Sequence, residues 1–185
     1  MQYKPDILDH QYKAVLFFVQ HLAYFRVLTA AYGSITDHRE FWQSTCDAHL
    51  KLAATAWCNV FGTYGEQLHW TKVPADSIAQ QAQQDFRDLI LSGTGLTPDQ
   101  WKTYHDEVVD FRNRFVAHNN AFGEPVPVFD TALRVACLYQ QWIKEVIKAS
   151  VDKFMPVQWL DPAFILRYEE WRAETALMVQ KTANA

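Results

Sequence analysis

Apolar residues recur along this chain at the three- and four-residue spacing of an α-helix, and strand-like alternation is weak throughout. Leu8, Tyr12, Val15, Val19 and Leu22 alternate between four- and three-residue steps, which predicts a first helix from Ile7 to Tyr32, closed by Gly33 and Ser34. A second is predicted from Asp37 as N-cap, with Glu40 in the capping-box position, to Phe61, where Gly62 fits a C-cap. The segment GTYGEQLHWTKVP then reads as a loop. A third helix, around Asp76 to Leu91, has a glutamine-rich polar face (AQQAQQ) and ends at SGTG. The fourth has the sharpest start: Thr97 as N-cap, Pro98 at the first helical position and Gln100 completing the box. Its stripe is Trp101, Tyr104, Val108, Phe111 and Phe115, and Asn119, Asn120 and a GEPVP turn end it. A fifth is predicted from Asp130 to Phe154, and a sixth from Asp161-Pro162 towards the C-terminus.

Long helices joined by short loops imply an all-α fold, an antiparallel bundle of five to six helices. No internal repeat or linker divides the chain, so residues 1–185 are read as one domain. With 49% hydrophobic residues among 185, the chain can bury a core without disulfide support. The net charge of -4 supplies no general basic field, so a nucleic acid would have to be held by a local patch.

Cys46, Cys58 and Cys137 form no C-x-x-C pair and fall within predicted helices, which favours reduced thiols in a cytoplasmic protein. The start, MQYKPDILDH, lacks the basic and apolar regions of a secretory signal. The most apolar run, AVLFFVQHLAYF, is interrupted by Gln20 and His21 and reads as too short to span a bilayer. A soluble protein without a membrane partner is therefore expected.

The segment DFRNRFVAHNN, Asp110 to Asn120, departs from an ordinary helix ending. Three residues beyond Phe115 the apolar stripe arrives at His118, a titratable group on the core side. Arg112 flanks the same face, though on an ideal helix it would lie roughly 120° from His118. Arg114, four residues before His118, is nearer by helical geometry. A histidine in a last turn can simply interact with the helix dipole and bond the terminal carbonyls. Arg114, Glu107 and Asp110 also have plain readings as solvated surface charges.

RNRFVAH resembles the signature of the HEPN superfamily, an arginine followed after four to six residues by histidine, commonly with a polar residue after the arginine. Arg112, Asn113 and His118 match it, with five residues between the arginine and the histidine. The position near the end of a late helix matches as well, and HDEVVDF and AHNN resemble its prokaryotic members. AWCNVFG and LHW, between Ala56 and Trp70, resemble an abortive-infection branch. The motif is short, and a helical bundle adds little specificity.

The resemblance implies a HEPN-like domain with metal-independent endoribonuclease activity of the toxin–antitoxin or phage-defence type, requiring no cofactor. Attack of a ribose 2′-OH on the adjacent phosphate needs a base and a cation. His118 would be the base, its unperturbed pKa lying near neutrality, and Arg112 the phosphate clamp. Asn113 would orient a group, while Glu107 or Asp110 would hold Arg112 and Arg114 would contact RNA. The products would be a 2′,3′-cyclic phosphate and a 5′-hydroxyl. The resemblance also implies a homodimer with two Arg–His pairs in one cleft, and some members are silenced by a nucleotidyltransferase-like antitoxin. The alternative is a non-catalytic HEPN-like module that binds a partner protein, a nucleotide or RNA. The other histidines, His10, His21, His38, His49, His69 and His105, have no metal-ligand spacing, so no metal is expected. His21, one residue off the first stripe, reads as a satisfied, partly buried histidine.

Overall fold

A computed structural model describes residues 3–35, 37–116, 125–149 and 163–183. The order is α1 (Pro5–Ala31), α2 (Arg39–Phe61), α3 (Ala79–Thr94), α4 (Pro98–Phe111), α5 (Phe129–Ala149) and α6 (Phe164–Ala183). The all-α bundle read from periodicity is the observed architecture. Pro5 opens α1 at the position where a missing N–H costs nothing, and Asp6 complements the positive helix start. Val15, Phe18, Val19 and Leu22 are fully buried. They lie on the helix that packs most extensively against α2 and α6, while α3 packs against α5.

The α1 expectation needs one correction. The apolar run belongs to a 30-residue stretch, Pro5–Ser34, long and apolar enough by length and composition to cross a membrane. The helix simply extends past the polar interruptions at Gln20 and His21. Of that apolar window 39% is buried inside the bundle, Val15, Phe18, Val19 and Leu22 among it.

Other boundaries moved for local reasons. Asp37 is not the cap of α2; His38 is, with φ 53° in the left-handed region and no side-chain cap bond. The next residue, Arg39, sets its guanidinium 5.0 Å from the Tyr32 ring centre, tying the connection back to the end of α1. Helix α3 starts at Ala79 rather than Asp76, because Ala75–Ile78 forms a separate turn closed by Ile78 N–H to Ala75 O, 3.0 Å. Gly95, at φ 72°, ends α3. Asn119, Asn120, Phe154, Asp161 and Pro162, used to bound the fourth, fifth and sixth helices, lie outside the described residues.

The start of α4 is as expected: Thr97 N–H donates to Gln100 Oε1 at 2.9 Å, and Gln100 N–H to Thr97 Oγ1 at 3.3 Å. Its end is not. After Phe111 the backbone widens into a five-residue π-helical turn, Arg112–Val116. The wider turn leaves Phe115 buried and stacked on Phe111, ring centres 4.8 Å apart.

The core is aromatic. Phe86 stacks on Trp142 at 5.0 Å and meets Trp70 edge-on at 4.9 Å, while Tyr139 meets Phe61 edge-on at 5.4 Å. One polar chain runs through it. Tyr139 donates its hydroxyl to Gln11 Oε1, and Gln11 Nε2 donates to the His69 carbonyl at 2.8 Å. The cysteines carry no disulfide, and burial pushes all three thiols above their usual range.

Candidate functional site

Arg112 is the first residue of the π-turn, and its side chain is only 20% exposed. Its Nη2 donates to Glu66 Oε1 at 3.2 Å, while its Nε–H is buried without a hydrogen-bond partner. Glu66 stands in the loop that leaves α2 at Gly62. The sequence reading assigned the task of holding Arg112 to Glu107 or Asp110, and the structure corrects this. Asp110, at the end of α4, instead pairs with Arg114 of the π-turn at 2.6 Å, four residues on. Glu107 is exposed, with no ion pair to Arg112. The physical reason is the side of the helix: Arg112 turns towards the α2 loop, whereas Glu107, Asp110 and Arg114 line the solvent side.

Contacts of His105 and His69 hold the loop that carries Glu66. His105 on α4 donates Nε2–H to the carbonyl of Phe61, 2.8 Å away, with the Gly62 carbonyl at 3.1 Å. His69 accepts at Nδ1 from the Thr71 hydroxyl, 2.7 Å away. Burial lowers the His69 pKa to about 4, Lys72 and His105 add to the fall, and a bond to the Gly62 backbone works against it. Gln11 grips the His69 carbonyl from α1. Glu66 N–H bonds Thr63 O at 3.0 Å, and His69 N–H bonds Glu66 O at 3.1 Å, so the loop is built of consecutive turns. Glu66 thus approaches Arg112 from a braced segment.

Both charges act on Cys58, which is buried on α2. Burial pushes its thiol up to about 12, with Arg112 pulling the value down and Glu66 pushing it back up. Both charges are therefore felt at one buried sulfur on α2, yet the thiolate itself is suppressed. From the same helix, Lys51 places its ammonium 5.1 Å from the Phe115 ring centre. The described part of the site therefore carries Arg112, Arg114 and Lys51 as cations around the π-turn. Asn113 is exposed on it. His118 lies outside the described residues.

Sequence reasoning missed Glu66 and Lys51. Glu66 is 46 residues from Arg112 in a loop, where neither period nor cap signals operate. Lys51 reads as an ordinary surface lysine on α2. A second feature it missed is a histidine pair. His21 on α1 and His49 on α2 share a 2.7 Å Nδ1–Nδ1 hydrogen bond, with rings 4.9 Å apart. Burial and the neighbouring His49 lower the His21 pKa to about 4, and burial lowers that of His49. His21 is thus the satisfied, buried histidine its position suggested. Among the described residues no group of three or more His, Cys, Asp or Glu side chains is arranged to hold a metal ion.

No protein-family model, curated protein or solved structure matches this chain.

Proposed function

We propose that this chain is a HEPN-type, metal-independent endoribonuclease of the toxin or defence class. The observation that carries the reading is the Arg112 guanidinium, fixed at the head of a π-turn six residues before His118 in the R-N-x4-H pattern. π-turns occur frequently at functional sites, where they re-aim side chains that an α-helix would point elsewhere. In this reading His118 removes the proton from the ribose 2′-OH and the oxygen attacks the adjacent phosphorus. Arg112 stabilises charge on the phosphorane oxygens as it develops. The 5′-oxygen leaves, taking a proton, and the 2′,3′-cyclic phosphate remains. Asn113 orients the phosphate or the imidazole, while Lys51 and Arg114 supply local positive charge to a chain whose net charge is -4. The resemblance adds a homodimeric cleft and a nucleotidyltransferase-like antitoxin as partners.

Labelled single-stranded RNA in excess chelator tests the proposal. The wild-type protein is expected to cleave it and leave cyclic phosphate ends, with DNA of the same sequence intact. His118→Ala and Arg112→Ala are each expected to lower the rate by at least roughly 100-fold, the scale of one general base or one transition-state cation. Full activity in His118→Ala removes the assigned base.

One observation favours a second reading, a non-catalytic module that binds RNA, a nucleotide or a protein. The charge of Arg112 is already matched by Glu66, which suits a recognition cleft as well as a reaction. Retention of RNA on the wild-type protein without cleavage, across RNAs of varied sequence, selects that reading.

A further inference from the structure

The Arg112 guanidinium has five N–H donors, and the structure uses them unevenly. Nη2 is bonded to Glu66 Oε1 at 3.2 Å, and the buried Nε–H is unpartnered. An arginine near the end of a helix ordinarily carries rotamer freedom that must be given up before it can clamp a phosphate. Here burial and the Glu66 contact reduce that freedom in advance. The carboxylate is 30% exposed and sits on a loop whose two ends are tied down, one by His105 to Phe61 and Gly62, the other by Gln11 to His69. The anchor on the first side, His105, belongs to α4, the helix that leads into Arg112. Loop and guanidinium are thereby referred to one frame.

We propose that Glu66 is a positioning residue that fixes the orientation of the Arg112 guanidinium towards a phosphate diester, an assignment that rests on the nuclease reading above. The carboxylate engages one edge of the planar group through a single oxygen. The Nη donors it leaves unused are those that meet the phosphate oxygens, and their direction is set before substrate arrives. Preorganised donors of this kind act on the transition state, because they need no reorientation as charge develops. A carboxylate also repels RNA, so Glu66 acts against ground-state binding while aiding the chemical step. That opposition separates its role from a merely structural one, which would weaken both together.

The variant is Glu66→Gln, which keeps the shape and removes the charge. RNA cleavage in chelator is expected to show kcat lowered roughly 10- to 100-fold, the penalty of a misaimed catalytic group, with KM unchanged or lower. Thermal melting checks the fold; should the Gln variant melt early, Glu66→Asp replaces it, withdrawing the charge by one methylene with the same expected split. A readout independent of activity is the nitrogen–proton NMR signal of Arg112 Nε, identified by its loss in Arg112→Lys. It is expected to exchange slowly with water in the wild-type protein and at least roughly tenfold faster in Glu66→Gln, as the buried N–H is released. An unchanged or raised kcat, a rise in KM with or without a fall in kcat, or an Arg112 signal indifferent to the substitution overturns the assignment. Wild-type protein that cleaves no RNA but whose Arg112 signal responds as described removes the nuclease reading and sustains the Glu66 arrangement.

Discussion

Gly62 turns the chain from α2 into the loop that bears Glu66, and its backbone angles, φ -76° and ψ -124°, leave no room on the side where a side chain would stand. A Cβ there would collide with the carbonyl of Cys58, a backbone atom that cannot swing aside. Gly65, three residues on, would meet nothing within 4 Å. Gly62→Ala is therefore expected to lower stability in urea by about 1–3 kcal/mol, the usual cost of overpacking, while Gly65→Ala stays within about 0.5 kcal/mol of wild type. Equal midpoints for the two variants would contradict the packing argument. The C-cap role of Gly62 was legible from the sequence, since glycine after an apolar run is a common helix ending. The collision was not, because it depends on how the chain leaves the cap. The same limit hid Glu66: the motif pointed to Arg112 and to nearby carboxylates, but a partner on a loop of another element leaves no local trace.

Among the elements, α4 shows both what periodicity delivers and where it stops. Its N-terminus is specified by four consecutive residues, and Thr97 and Gln100 satisfy each other's backbone N–H groups as the capping box requires. Thr97→Ala leaves one of those donors open and is expected to cost about 1 kcal/mol. In a domain of this size that lowers the melting temperature by about 2–4 °C, read by circular dichroism; an unchanged melt would mean that water or frayed geometry replaces the cap. The C-terminal end followed no such code. Phe111 and Phe115 are spaced as an α-helix would space them, so the stripe reads through them without a break, although the backbone carrying Phe115 is a π-turn. A period can say that Phe115 faces the core, but not that the backbone carrying it widens. The His21–His49 pair was hidden for a related reason, since each histidine lies one position off an apolar stripe and only the pairing of α1 with α2 brings them together.

At the scale of the whole molecule, acid should be the bundle's weak point, and the argument rests on histidines in two separate places. His21 and His49 join α1 to α2 through a hydrogen bond that needs an unprotonated Nδ1 on one ring, and His69 braces the loop between α2 and α3 by accepting at Nδ1. Burial holds His21 and His69 near pKa 4 in the folded chain and lowers His49 as well. In the unfolded chain each titrates near 6.5. Between those values the unfolded chain binds more protons than the folded one, so stability rises with pH across the window. The contribution of these groups is fully present above about pH 6.5 and is lost progressively as pH falls towards about 4. Melting temperature is therefore expected to be level from pH 8 to 7 and to drop steadily below pH 6.5. The double variant His21→Leu, His49→Leu replaces the pair by apolar groups and is expected to make that decline shallower, leaving the part due to His69. Since both helices of the pair belong to the most extensive interface of the bundle, a wild-type decline that the double variant leaves unaltered would assign the acid sensitivity to carboxylates and remove the histidine pair from the account.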